Sequence, residues 1–309
     1  MNAPQPARHS EIYDLGYRNY DGPRLGRRYA VRSLGALSLR NTFGLGRRPI
    51  SKAIAWMLVA AALVPAVIQV AIGALVPLDD GEVFEFWTPE GYYGSIQTIV
   101  VLFVAAMASE LVGNDRKNNT LPLYFSRPIE RSDYVFAKFA ALTLGLQMLT
   151  LFPQLVLFFG TWAGSPDSSA WISDNVSDLP AIVVSAVLVS AQFAALGILV
   201  ASYASKRAFA LVSILGGMLL SMMATALLSQ LVAERVAAGI MLVSPIYVAR
   251  GTTLVLFDAM PRARDLDRAD GIGDQIAAVD LPGVVWIAAC VVHITVAVVF
   301  AIRRYRETI

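Results

Sequence analysis

The sequence predicts an all-α integral membrane protein with six transmembrane helices. Three observations carry this: the composition, six apolar segments of spanning length, and an alternation of basic residues from one loop to the next. Of the 309 residues, 56% are hydrophobic and 16% are charged, and the mean hydropathy is +0.59. Soluble domains carry about 25% charged residues, so the deficit marks lipid as the main solvent. A helix needs about 20 apolar residues to cross the hydrocarbon core. Segments 53–76, 95–112, 135–162, 179–203, 209–232 and 283–302 meet that length. Lipid offers the backbone no hydrogen-bond partner, so runs of this kind are read as helices. Pro65 and Pro153 fall inside two of them and are expected to kink them.

The chain opens with a polar, basic segment, residues 1–52, read as cytoplasmic and distinct from a membrane domain over 53–309. It shows no cleavable signal pattern of a short apolar core behind a basic start, so the first span is expected to serve as targeting signal and anchor together. Within it, Leu34, Leu37, Leu39, Phe43 and Leu45 interleave with Arg32, Ser33, Ser38, Arg40 and Asn41. That pattern predicts an amphipathic helix over 25–45 on the inner membrane face, serving either as a simple anchor or as a docking element.

The loops orient the spans. The first, 77–94, holds Asp79, Asp80, Glu82, Glu85 and Glu90 and no base. The second, 113–134, holds Arg116, Lys117, Arg127 and Arg131; the third, 163–178, again has no Lys or Arg. Lys206 and Arg207 mark the fourth, and Arg303, Arg304 and Arg306 the tail. Bases gather on the cytoplasmic side of membrane proteins, which places both termini in the cytoplasm and the protein in the cell (inner) membrane as a multi-pass chain. Trp56, Tyr134, Tyr203 and Tyr305 then fall at inner ends and Tyr92, Tyr93, Trp162 and Trp286 at outer ends, as interfacial aromatic belts require.

The fifth loop, 233–282, carries five arginines and seven acids. Its stretch 237–257 is apolar but interrupted by Pro245 and Arg250. As a seventh span it would export the Arg-rich tail, against the charge rule. An external re-entrant or surface-lying hairpin between spans five and six is the consistent reading, followed by a polar excursion over 258–280.

Membrane catalysis needs converging nucleophiles, acids or metal ligands, and the sequence supplies few. His9 and His293 are the histidines and Cys290 the single cysteine. His293, inside the last span, reads first as an interhelical hydrogen-bonding residue. Glu110 and Lys138 sit near inner span ends, where long side chains reach the interface by snorkelling. Gln147, Gln154 and Gln192 are neutral polar residues within spans; they are candidates to line a solute path and equally suited to bond helix to helix. No phosphate-binding loop of the form G-x-x-x-x-G-K-[ST] is present, so no cofactor is expected on this chain and any nucleotide would bind elsewhere.

The second loop stands out. Leu121, Leu123, Tyr124 and Phe125 cluster amid polar flanks. Thr120-Leu121-Pro122 can start a short helix, Arg127-Pro128 can stop it, and Ser132-Asp133 offers an N-cap for the third span. A short aromatic helix beyond the membrane face suits insertion into a groove of a soluble partner.

The run from Asp115 through Thr120-Leu121, Arg127-Pro128-Ile129 and Arg131 to Lys138 resembles the coupling-loop signature of type-two ABC exporter permeases. Asp115 stands where Glu is frequent, and Asn119 where Gly is. The segment 12–24 resembles the N-terminal lead of some such permeases, and Ser244-Pro245 resembles the segment before their last span. The resemblance implies a permease subunit, itself no enzyme, that pairs with a second copy or a paralogue as a homo- or heterodimer. Each would rest on a soluble ABC ATPase subunit that binds ATP and Mg, with no nucleic-acid partner. It implies that Asp115, Asn118, Thr120, Leu121, Leu123, Tyr124, Phe125, Arg127, Pro128 and Arg131 form the ATPase-docking surface. The rival readings are a secondary transporter or channel, which would call for buried coupling carboxylates or inverted repeats, and a non-transporting membrane subunit of a larger complex.

Overall fold

The computed structural model describes residues 22, 25–46, 49–75, 89–126, 128–260, 271–279 and 281–307. Among them there is helix and no strand. The acidic first loop, the lead segment 12–24 and Arg127 therefore lie outside, or almost wholly outside, the described residues.

Six helices are long and apolar enough to span a membrane. They are α2 (Pro49–Leu75), α3 (Pro89–Lys117), α5 (Arg131–Gly164), α7 (Asp178–Tyr203), α8 (Arg207–Leu231) and α12 (Gly283–Glu307). Each coincides with an expected apolar segment, and α2 and α5 run as single helices through Pro65 and Pro153. The ends differ most at α3, which continues past the apolar run to Lys117. With α5 starting at Arg131, the connection expected over 113–134 shortens to 118–130. Its middle is α4 (Leu121–Phe125), where the short helix was expected. The N-cap of α5 is Glu130 rather than Ser132 or Asp133: the Asp133 carboxylate accepts from the Glu130 N–H at 3.0 Å, and the Glu130 side chain caps the N3 amide in return. A reciprocal box satisfies two otherwise orphaned donors.

Ahead of the spans, α1 (Gly26–Thr42) occupies the predicted amphipathic stretch. Leu34, Ser38 and Thr42 form its buried stripe and pack it mainly along α5. Gly44 turns the chain from α1 into α2 with φ +65, and a Cβ there would lie 2.6 Å from the Lys52 nitrogen, so only glycine fits. Between α5 and α7 the third loop carries a helix the sequence reading lacked, α6 (Ser168–Asn175), capped by Asp167. The Asp167 carboxylate accepts from the Ala170 and Ser169 amides, which hold it below the usual carboxylate range.

The fifth loop folds as α9 (Glu234–Val243) and α10 (Pro245–Leu256), bent by 100° at Ser244. Pro245 sits at the start of α10, where its missing N–H costs nothing. The α10 helix is buried from Ile246 to Leu254 and packs on α12, α7, α8 and α3. The excursion after it is partly helical: α11 (Gly271–Ala277) buries Ile276, and Gln275 Oε1 accepts from the Tyr247 hydroxyl at 2.5 Å.

Helix α7 is the hub of the bundle, touching α5, α12, α3, α10 and α8. Two-thirds (67%) of the apolar window of α3 and of α7 is buried inside the protein, against 17% for α8 and 28% for α2 and α12. The inner pair is thus walled by the others, whose apolar outer faces are left for lipid or another chain. Polar bonds stitch the interior: Thr150 to Ser190 at 2.9 Å, Tyr93 to Ser185 at 3.0 Å, and the Tyr92 hydroxyl donating to the Leu149 and Ala62 carbonyls at 2.9 and 3.0 Å. Such bonds average about 0.6 kcal/mol each within membrane bundles, so close packing carries most of the cohesion.

Gly197 is where that packing is tightest between the two central helices. A Cβ there would lie 2.5 Å from Val104 Cγ1 and 3.2 Å from the Ala108 Cβ. Gly197→Val should therefore destabilise the bundle by about 1–3 kcal/mol, read as a lower unfolding temperature in detergent; an unchanged temperature would refute the close approach of α3 and α7.

Candidate functional site

Both ends of the described chain, the α4 connection and the α7–α8 turn meet at one end of the bundle. Arg27 on α1 pairs with Glu130 and, at 2.8 Å, with Asp133. These hydrogen bonds, Asp133's first, push the exposed Arg27 guanidinium above its ordinary value. Arg131 donates to the Arg306 carbonyl near the end of α12 at 3.2 Å. Arg116 donates to the Ser202 and Ala204 carbonyls at the end of α7, at 3.0 and 2.6 Å. The α9–α10 hairpin lies toward the other end, since α10 meets α3 at Tyr93, Gln97 and Val100 in its first half.

At the centre of the first end is a buried ion pair. Lys138 Nζ lies 2.6 Å from Asp115 Oδ2 and also donates to the Leu111 carbonyl at 3.3 Å. The Tyr134 hydroxyl donates to the same carboxylate oxygen at 2.9 Å, and the Lys138 ammonium sits 5.3 Å from the Tyr134 ring centre. Lys138 and Tyr134 are each 1% exposed and Asp115 8%. The expectation that Lys138 snorkels to the interface is thus corrected: a carboxylate one helix away lets the ammonium stay inside. Glu110 is likewise buried, 3.3 Å from the Arg207 guanidinium.

Tyr134 joins this pair to α4. Its ring meets Tyr124 and Phe125 of α4 at 6.0 and 6.1 Å between centroids, and Tyr305 of α12 at 5.1 Å. Aromatic pairs of this kind contribute about 0.5–1.5 kcal/mol beyond area burial. Thr120 ties down the start of α4, its N–H and hydroxyl both donating to the Asp115 carbonyl at 3.0 and 3.2 Å. Asn119 takes φ 50 just before it, a left-handed residue closing α3.

The residues expected to dock a partner therefore divide. Asp115 faces inward and holds the connection. Tyr124 and Phe125 are half-buried on Tyr134, and Leu121 is half-buried as well. Leu123 is 65% exposed, with Asn118 and Pro128 also exposed and Arg131 and Thr120 intermediate. What projects outward is a Leu123-tipped knob on a fixed aromatic base.

The glutamines are spent across helices. Gln147 donates to the Ala186 carbonyl at 3.3 Å, Gln154 to the Pro89 carbonyl at 2.5 Å, and Gln192 to the Pro245 carbonyl at 3.0 Å. Gln192 also lies 3.0 Å from His293 Nδ1, so His293 makes the interhelical contact expected of it. Arg250, read from sequence only as an interruption, is 7% exposed on α10, beside a cavity of about 20 Å³ that Gln97 and Thr253 also line. A cavity needs roughly 10–15 Å³ for one water, so this space holds no larger solute as it stands. The cost of a charge at such depth was the available signal that Arg250 is placed deliberately.

No family model matches the chain, and no curated protein matches it. Six spanning-length apolar helices are the make-up of a multi-pass membrane protein. Its most organised polar feature is the α3–α4–α5 corner built on Asp115, Lys138 and Tyr134.

Removing one partner of a buried pair leaves an uncompensated charge, whereas replacing both with apolar groups is often neutral. Lys138→Met should cost about 3–5 kcal/mol, and Asp115→Leu combined with Lys138→Met should recover most of it. Unfolding of both variants in detergent checks this; a double variant as unstable as the single one would contradict the pairing.

Proposed function

We propose that this chain is the membrane-spanning permease subunit of an ATP-driven ABC transporter, an exporter, coupled through its α3–α5 connection to a separate ATPase subunit. One observation carries the reading: an exposed apolar tip, Leu123, stands on a rigid aromatic mount at the base-rich end of the bundle. A connection that only returned the chain to the membrane would not require an inward ion pair and the tilted and edge-on contacts of Tyr124 and Phe125 with Tyr134 to hold a five-residue helix. Apolar side chains on a short helix suit a groove on a soluble partner.

The mechanical logic follows from the contacts. A partner gripping α4 pulls on Tyr134 of α5 through Tyr124 and Phe125, on α3 through Thr120 and Asp115, and on α12 through Tyr305. Closure of the ATPase pair would thus be delivered to three spanning helices at once. ATP and Mg belong to the partner, which supplies the nucleotide energy. Such a cycle needs the two arrangements of the bundle to bind the partner's states differently. The distribution of bases supports a cytoplasmic position for this end, with the α9–α10 hairpin re-entrant from the outer face and α1 at the inner interface, in the cell membrane. The uncovered apolar faces of α2 and α8 suit lipid and a second permease copy or paralogue. The outward direction of transport rests on the resemblance of the Asp115–Lys138 run.

Leu123→Asp should leave the unfolding temperature unchanged, because the side chain is exposed, while weakening ATPase co-purification by about 30-fold or more, as for an interface hot spot. Tyr124→Ala with Phe125→Ala should lower both, since those rings also anchor α4. Full ATPase association and coupled transport with Leu123→Asp, or solute movement in liposomes by this chain without any ATPase, would overturn the reading.

A further inference from the structure

Among the described side chains, each carboxylate at the α4 end of the bundle already faces a base of this chain. Asp115 meets Lys138 at 2.6 Å, Glu110 meets Arg207 at 3.3 Å, and Glu130 and Asp133 share Arg27. Bases are in surplus there. Lys117 at the end of α3, Lys206 in the α7–α8 turn and Arg306 in the last turn of α12 are all exposed. None of the three has an ion pair or a side-chain hydrogen bond among the described residues.

The three flank α4. Lys117 stands just ahead of it in sequence, and its neighbour Arg116 holds the Ser202 and Ala204 carbonyls, which draws the turn carrying Lys206 alongside. Tyr305, next to Arg306, packs edge-on against the Tyr134 ring that also meets Tyr124 and Phe125. Leu121 and Pro122 of α4 border one cleft with Ser202 and Tyr305, so the ends of α7 and α12 lie against the short helix. Its apolar tip, Leu123, is 65% exposed.

Bases that serve lipid headgroups sit where the apolar spans end. These lie farther out. The α3 helix carries Lys117 beyond its apolar segment, which ends at Val112, by about 7 Å at about 1.5 Å per residue. Lys206 and Arg306 come after Tyr203 and Tyr305, residues of the kind that mark headgroup depth. Seating Leu123 in a groove brings these bases against the groove's edge, where charge left unmatched loses hydration without return. Acidic side chains on that edge would match it, and complementary charge also steers the encounter.

We propose that Lys117, Lys206 and Arg306 form a basic collar around the α4 tip, and that the surface it recognises is a soluble protein with an apolar groove rimmed by Asp and Glu. The inference rests on the docking role of α4 proposed above and names the chemistry of the surface that α4 meets.

The intact chain is held in phosphatidylcholine nanodiscs, and association and dissociation of the ATPase that co-purifies with it are measured as salt is raised. Lys117→Gln, Lys206→Gln and Arg306→Gln combined should slow association about tenfold at low salt and flatten its salt dependence, with dissociation little changed. Lys117→Arg, Lys206→Arg and Arg306→Lys combined should keep the original rate. Arg235→Gln, on exposed α9 at the other end, should change nothing. Unaltered association in the combined Gln variant, or association by the unsubstituted chain that ignores salt, would overturn the acidic rim. So would unaltered association together with lost retention of phosphatidylglycerol over phosphatidylcholine, which would assign the bases to the lipid surface. In each of these cases α4 docking still stands if Leu123→Asp weakens binding, whereas an unsubstituted chain that binds no ATPase sinks both readings.

Discussion

The Asp115–Lys138 pair is the constraint from which the polar end of this protein is built. A carboxylate and an ammonium at 2.6 Å, both out of water, forgo hydration that their mutual attraction only partly returns. Their value is geometric. Lys138 can be buried only where Asp115 meets it, so α3 and α5 have one admissible register at this end. Tyr134 then completes the carboxylate's hydrogen bonding and presents its ring to α4 and α12. The Asp115 carbonyl takes both donors of Thr120. One acid thus sets the helix pairing with its side chain and the start of α4 with its backbone.

The same economy governs the bundle interior. In lipid the hydrophobic effect does not drive one helix against another, so close approach and shared polar groups must do it. Gly197 lets α7 meet α3, and Gly145 and Gly251 leave room for Thr42 and the Trp286 ring in the same way. Glutamine and hydroxyl side chains cross between helices to carbonyls and to one another. The α9–α10 hairpin is tied to the bundle just after its break, where the Gln192 amide of α7 donates to the Pro245 carbonyl at the start of α10.

Much of the fold was legible in the residues. Spanning segments announce themselves because apolar length has one physical use, and the break at Ser244-Pro245 was readable because Pro removes a backbone donor and fits best at a helix start, although α2 and α5 continue through Pro65 and Pro153. The short helix at Leu121–Phe125 was legible for the same reason, bracketed by Thr120 and by Pro128. The α6 helix was not, since Ser168–Asn175 is only 8 residues long and mostly Ser, Asp and Asn around Trp171 and Ile172, with helix-forming tendency too weak to separate it from a loop. Nor was the extension of α3 to Lys117, because continuing a helix through Asn114-Asp115 depends on partners twenty residues away in sequence.

The sequence by itself determined six spanning helices, the placement of bases and the presence of an apolar-tipped connection, because these follow from transfer free energies and local backbone preferences. Only the tertiary structure decided which side chains that connection keeps and which it shows. Tyr124 and Phe125 carry the same apolar signature as Leu123, yet they turn inward on Tyr134 while Leu123 stays in the open. Composition is blind to that division, since burial is a property of neighbours, and the neighbours here come from α5 and α12.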